Sequence, residues 1–232
     1  MGRFKMGRRR EWKKTLIKFI GFIGVFAILF IGCNMYLDNI YKNERKNMTV
    51  DDEHLVDEVI ALAKEKVGLE YVWGGKGEIM TEERLNELIS WYGEEYYPLD
   101  HEEYIDKQAF DCSGLTYWVY KELTDVFIGY STTEQQEVLK DYKVSWKNLQ
   151  PGDIIFTPGH VVMYIGDGKI INSANKKPYP EGGVKIENLG LERFAKIYRP
   201  IDYIKEVKGE KNMEQGVGII SNAHAFKLIL LL

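Results

Sequence analysis

The chain has only two cysteines, Cys33 and Cys112, in 232 residues. Cys33 lies in an apolar run near the start and Cys112 lies far downstream in the folded region, so the two make no sensible intrachain pair. A disulfide-stapled scaffold is excluded. Histidine is also scarce, at four. His101 stands among Asp100, Glu102 and Glu103, which reads as a solvated charge run. His224 is no ligand candidate either, so no metal and no organic cofactor is expected. There is no excess of positive charge. Lys and Arg total 31 against 35 Asp and Glu, a net charge of −4, which makes nucleic-acid binding a poor reading of the whole chain. The apolar run has no obvious small-x-small cleavage site.

Positive charge is concentrated in residues 1–14 (MGRFKMGRRREWKK). Residues 15–37 then carry no charge except Lys18, and about 20 apolar residues in a helix span a bilayer. The basic flank places the N-terminus in the cytoplasm and the remainder outside. Three readings stay open: an uncleaved signal anchor, a lipoprotein signal ending at Gly32-Cys33, and a cleaved signal peptide. Phe30 stands where a lipoprotein signal usually has Leu. Polar residues 38–50 read as a stalk. Beyond it, Leu55, Val56, Val59, Ile60, Leu62, Ala63 and Val67 fall at helical spacing, with Asp51 and Asp52 at the start and Gly68 at the stop.

The most informative stretch is Phe110-Asp111-Cys112-Ser113-Gly114-Leu115, running into a helical pattern. A cysteine at a helix start meets unpaired N–H groups and the positive end of the dipole, which favours the nucleophilic thiolate. Asp111 suits the N-cap, and Gly114 permits close approach. Downstream, Pro151-Gly152-Asp153 is a turn and Ile154-Ile155-Phe156 a strand. His160 opens a second strand, His160–Ile165. Gly166-Asp167-Gly168 is a hairpin turn, and Asn172 lies on the returning strand. Cysteine as nucleophile, histidine as base and a polar residue to orient the histidine is the logic of cysteine hydrolases.

Together, Asp111-Cys112-Ser113-Gly114, Pro151-Gly152-Asp153-Ile154-Ile155-Phe156 and His160-Val161-Val162-Met163-Tyr164-Ile165-Gly166 resemble the NlpC superfamily of cell-wall cysteine peptidases, over roughly residues 54–200. The resemblance implies an α+β, papain-like core, with a Cys-bearing helix packed on an antiparallel sheet that carries the His. One N-terminal transmembrane helix would precede it. It implies hydrolysis of peptidoglycan stem peptides, at the bond from D-Glu to the diamino acid, with catalytic Cys112, His160 and Asn172. Asn172 falls where the family commonly has His, and its carbonyl can still accept the imidazole N–H. Tyr71, before Gly74-Gly75, matches a family tyrosine that lines the active site as oxyanion donor or substrate contact; an aromatic packing role is the alternative. Asp111 and Ser113 match a pair that in some relatives binds the free amine of a stem peptide. Asp153 is expected to organise its turn and do no chemistry.

The family usually runs from the Gly pair straight into the Cys motif. Here residues 76–109 intervene, acidic and rich in Tyr, with a helix at Thr81–Trp91 capped by Thr81. An insertion at that place must emerge at the cleft and reads as a lid or specificity element, or else as a surface excursion. The expected organisation is a cytoplasmic segment 1–14, an anchor 15–37, a stalk 38–50, a catalytic domain 51–203, and a linker and tail 204–232. The setting is the outer face of a bacterial membrane, leaning to Gram-positive. Two other functions remain open: a non-catalytic wall-binding module, and an N-acetylmuramoyl-L-alanine amidase or other amide hydrolase.

Overall fold

The computed structural model describes residues 16, 18–32, 35, 44–46, 48–174, 177–190 and 195–209. The basic segment 1–14, Cys33 and the tail from 210 onward lie outside the described residues. The chain divides into two units, residues 1–46 and 47–232. In the first, residues 18–32 are helical. Their apolar side chains, among them Phe22, Ile28 and Leu29, are exposed. Among the described residues no helix is long and apolar enough to cross a membrane. Several positions of the expected span, including Thr15, Ile17, Cys33 and Asn34, fall outside the described residues.

The second unit begins with α1, Val50–Lys64, which buries Val56, Val59, Ile60 and Ala63 at helical spacing. Its cap is Thr49, whose side chain accepts from the Asp52 N–H while Asp52 answers the Thr49 N–H. The helix therefore starts inside the expected stalk, one residue before Asp51. A two-stranded ladder follows, β1 (Lys76–Ile79) against β2 (Gln108–Phe110), enclosing α2 (Glu82–Tyr92). α2 is capped by Thr81, as its sequence predicts. Then come α3 (Cys112–Thr124) and α4 (Thr132–Val138), the latter closed by a capping box between Ser131 and Glu134. The remaining strands are β3 (Lys143–Val144), β4 (Ile154–Thr157), β5 (His160–Gly166), β6 (Lys169–Ala174), β7 (Gly183–Asn188) and β8 (Lys196–Tyr198).

These six strands form one antiparallel sheet in the order β3-β8-β4-β5-β6-β7. The β5–β6 hairpin turns through Gly166, Asp167 and Gly168, all with positive φ. This is the conformation in which a tight hairpin matches strand twist. Period-two alternation gives the sheet two buried faces. Phe156, Val161, Met163, Ile171 and Val184 join α1 and α3 in the main core. Ile155, Val162, Tyr164 and Ile197 form a smaller cluster on the other side. Each such side chain removed from water contributes roughly 1.5–3 kcal/mol before chain entropy is set against it.

Residues 200–209 are helical, where a charged linker was expected, and the helix runs past the expected domain boundary at 203. Ile201 and Ile204 enter the main core while Asp202, Lys205 and Glu206 stay outside. This ten-residue helix shows too few apolar positions to stand out among its charges. Arg199, just before it, fixes the Pro-Gly-Asp turn. Its guanidinium donates to both oxygens of the buried Asp153, at 2.8 and 2.9 Å, and to the Asn148 carbonyl at 2.6 Å. Asp153 also accepts from the Gln150 N–H, so it organises the turn as its sequence suggests.

Burial pushes the Asp153 carboxyl up to about 6 even with Arg199 beside it. Removing Arg199 leaves that carboxylate buried and unpaired. Arg199→Met is expected to destabilise the fold at pH 7 by about 3–5 kcal/mol, measured by urea unfolding. A raised folded-state pKa means that the folded state binds the proton more readily than the unfolded chain. Without Arg199 the carboxyl's pKa rises above the paired value of about 6, so the penalty should shrink as pH falls from above 7 toward about 6 and level off below it. A pH-independent loss would show that Asp153 carries no charge there.

Candidate active site

The site is built at the start of α3. Asp111 caps the helix, with Oδ1 accepting from the Gly114 N–H at 2.6 Å and lying 2.9 Å from the Ser113 hydroxyl. Its Oδ2 accepts from the Gly74 N–H at 3.2 Å and from the Lys76 ammonium at 2.5 Å. Lys76 also donates to Ser113 Oγ at 3.1 Å. One carboxylate thus joins the first turn of α3 to the Tyr71–Lys76 segment. The two pieces touch closely. A Cβ on Gly114 would stand 2.0 Å from the Gly75 carbonyl oxygen, and one on Gly75 would stand 2.7 Å from the Ala109 backbone. Neither position admits a side chain.

Cys112 is therefore the first residue of α3 and is buried. The backbone N–H groups of Val161 and Ser113 lie near its sulfur and favour the thiolate. The Val161 contact places the thiol against the opening residues of β5, next to His160 in the chain. The expected thiolate is not the resting form. Burial pushes the thiol up, and the Asp111 charge adds to this. The two backbone donors and Lys76 pull the other way without offsetting it. Desolvation outweighs the helix terminus because the sulfur is removed from water on both sides.

His160 and Asn172 meet. The ring Nε2 lies 3.2 Å from Asn172 Oδ1. Met163 pairs with Ile171 across the hairpin, so Asn172 lies one step further along β6 toward His160. Both side chains line a pocket of about 260 Å³ with Trp146, Ile155, Thr157 and Glu187. Tyr71 is buried, and its backbone bridges to Phe110, two residues before Cys112. Burial holds its phenol well above its ordinary value, with the Cys112 and Asp111 charges acting in the same sense. Tyr71 therefore remains a hydrogen-bond donor beside the thiol.

Insertion 76–109 has a core of its own. Met80, Leu85, Leu88, Tyr97, Tyr104 and Ala109 pack with Val72. Its two-stranded base leads directly into Asp111. The Tyr97 hydroxyl donates to the Trp73 carbonyl at 2.9 Å, which ties the insertion to the segment carrying Tyr71. His101 lies 3.0 Å from Glu94 on the surface, and among the described residues no acidic or histidine cluster could hold a metal ion. Two residues of the site escaped the sequence reading. Lys76 carries no signal beyond following the Gly pair. Glu187 shows one weak signal, its place in an alternating strand on the same face as Lys185.

The NlpC/P60 family profile matches residues 68–196, more than half of the chain, and the chain belongs to the NlpC/P60 family. Among its relatives, the murein DD-endopeptidase MepH of Escherichia coli is 34% identical over 99 residues, covering 40% of this chain and 35% of MepH. The peptidoglycan DL-endopeptidase CwlO of Bacillus licheniformis is 28% identical over 102 residues, covering 42% of this chain and 21% of CwlO. The chain thus spans about a third or less of the length of these two relatives. The NlpC/p60 domain of the peptidoglycan hydrolase SagA aligns with a TM-score of 0.38 at 28% identity, covering 57% of this chain and 88% of that domain. The fold is the α+β fold of this family, with helices and antiparallel sheets.

The electrostatics generate a direct prediction. Alkylation of Cys112 by iodoacetamide should show a midpoint above the ordinary cysteine value of roughly 8.5. Lys76→Met should move it higher still, because Asp111 would then face the thiol uncompensated. A midpoint below that value would mean that the helix terminus dominates.

Proposed function

We propose that this domain is a cysteine endopeptidase acting on peptidoglycan stem peptides, with Cys112 as nucleophile, His160 as base and Asn172 as the residue that orients the imidazole. The observation that carries this reading is the His160–Asn172 contact at 3.2 Å, with the Val161 N–H of the same strand near the Cys112 sulfur. The names of the relatives MepH and CwlO support the substrate class. Within the stem peptide, the bond from D-Glu to the diamino acid is the proposed target.

The protonated resting thiol makes a base necessary. His160 takes the Cys112 proton as the sulfur attacks the peptide carbonyl. The Cys112 backbone N–H precedes the helix's own ladder and can meet the developing oxyanion, with Tyr71 beside it. One such donor is worth roughly 3–4 kcal/mol of barrier. His160 then protonates the leaving amine, and water cleaves the thioester. The Asp111–Ser113 pair has taken the Lys76 ammonium as its cation, so these two residues frame the nucleophile rather than hold a free substrate amine.

Cys112→Ala is expected to abolish release of peptide fragments from purified peptidoglycan, a loss on the order of a million-fold for a catalytic nucleophile, with an unchanged melting temperature. Mass spectrometry of the fragments checks this and names the bond. Fragment release that persists in the variant would refute the assignment.

The N-terminal region is proposed to anchor the chain with the domain outside the cytoplasm. The exposed apolar surface of residues 18–32 and the basic run ahead of it support this. The full chain should partition with membranes on fractionation, and a chain starting at residue 47 should not. Membrane recovery of the shorter chain would overturn the anchor.

A further inference from the structure

Asn172 is buried, at 2% exposure, and both ends of its amide are in use. The oxygen faces His160, and the nitrogen donates to Glu187 Oε2 at 3.1 Å. The two ends of an amide have nearly the same shape, and only the bonding network decides which points where. A carboxylate accepts and does not donate. Glu187 therefore forces the NH₂ end toward itself and leaves the carbonyl end for the histidine. A carbonyl in turn only accepts, so the ring nitrogen it meets, Nε2, must carry the hydrogen. Nδ1 is then the nitrogen that carries no hydrogen in the neutral ring.

We infer that Glu187 is a positioning residue of this site: by holding the amide of Asn172 one way round, it selects the tautomer in which His160 Nδ1 is the base. The supporting geometry is local. Asn172 pairs with Lys185 and Ile170 with Glu187 across β6 and β7, so Glu187 is one pleat from Asn172 on the same face. The Lys185 ammonium holds the other oxygen of Glu187 at 3.0 Å and is itself fixed on the Glu181 carbonyl at 2.7 Å. The charged groups around Glu187 are thus Lys185 from its own strand and His160 from β5, with the Asn172 amide between. Burial pushes the Glu187 carboxyl up, but the bonds from Asn172 and Lys185, together with the neighbouring charges, hold it below the usual carboxylate range. It is an ionised acceptor at neutral pH. The side chain is 43% exposed, so solvent screens its charge, and its role is to set orientation rather than to supply field.

The inference rests on His160 being the base of the proposed hydrolase, but its first test needs no substrate. In the full chain with ¹⁵N-labelled histidine, the His160 ring shifts, assigned by loss in His160→Ala, should show a single Nε2–H tautomer. Glu187→Ala should give a mixture of tautomers and lower kcat for stem-peptide hydrolysis roughly tenfold with KM little changed, as expected of a group that orients a histidine from one layer back. Glu187→Gln can donate as well as accept, so it no longer forces the amide one way round and should also give a mixture of tautomers. In an Asn172→Asp background both oxygens accept and no end needs selecting, so Glu187→Ala should no longer affect the tautomer. A single Nε2–H tautomer and an unchanged kcat in Glu187→Ala would overturn the inference, even if Cys112-dependent hydrolysis stands. Conversely, the predicted tautomer mixture in a protein that releases no fragments would uphold the orienting role and refute the hydrolase.

Discussion

The Asp111 carboxylate is the constraint on which the rest of the site depends. It caps α3, accepts the Gly74 N–H and binds the Lys76 ammonium, so a single buried group decides how the Cys-bearing helix meets the segment before it. Its four donors are Gly74 and Lys76 at the start of insertion 76–109 and Ser113 and Gly114 beyond its end, and they draw together residues that the sequence separates by more than thirty positions. Gly75 and Gly114 make this possible by leaving no side chain where the two backbones meet. The insertion can then be long without moving Cys112, because its two-stranded base closes the chain before it reaches the cap.

The same arrangement bears on the proposed nucleophile. A helix start favours the anionic sulfur, but this sulfur is buried between α3 and the sheet, next to a carboxylate. Burial dominates and the thiol stays protonated. The proposed mechanism then calls for a neutral imidazole with a defined lone pair, and three side chains in a row across the sheet orient that ring. His160, Asn172 and Glu187 come from three successive strands, each joined to the next through one hydrogen bond. The antiparallel pleat makes this row geometrically simple: residues on one face of neighbouring strands lie within side-chain reach when their registers match.

Much of the fold was legible in advance because local chemistry and tertiary need agreed. The N-caps Asp111, Thr81 and Ser131 act as their residue types suggest, and the Gly166-Asp167-Gly168 turn closes the hairpin that its composition announces. Departures came where local signal was weak or outvoted. Thr49 starts α1 a residue before the acidic pair that seemed to mark the start, since its hydroxyl completes a capping box with Asp52. Ile201 and Ile204 turn a charged stretch into a helix because the core beneath it accepts two apolar side chains. The insertion reads as acidic and solvent-loving, yet its tyrosines and leucines bury one another around Tyr97 and Tyr104.

The sequence by itself determined the family: a cysteine at a helix start, a histidine opening a strand and an amide on the hairpin partner stand in the order of the NlpC/P60 family. Such features are local, and residue type with short-range spacing expresses them. Only the tertiary structure decided the protonation of Cys112, the capture of Asp111 and Ser113 by Lys76, and the link from Asn172 to Glu187. These depend on which groups lose water together and on which strands lie side by side. Both follow from packing between residues distant in the chain, where no spacing rule reaches.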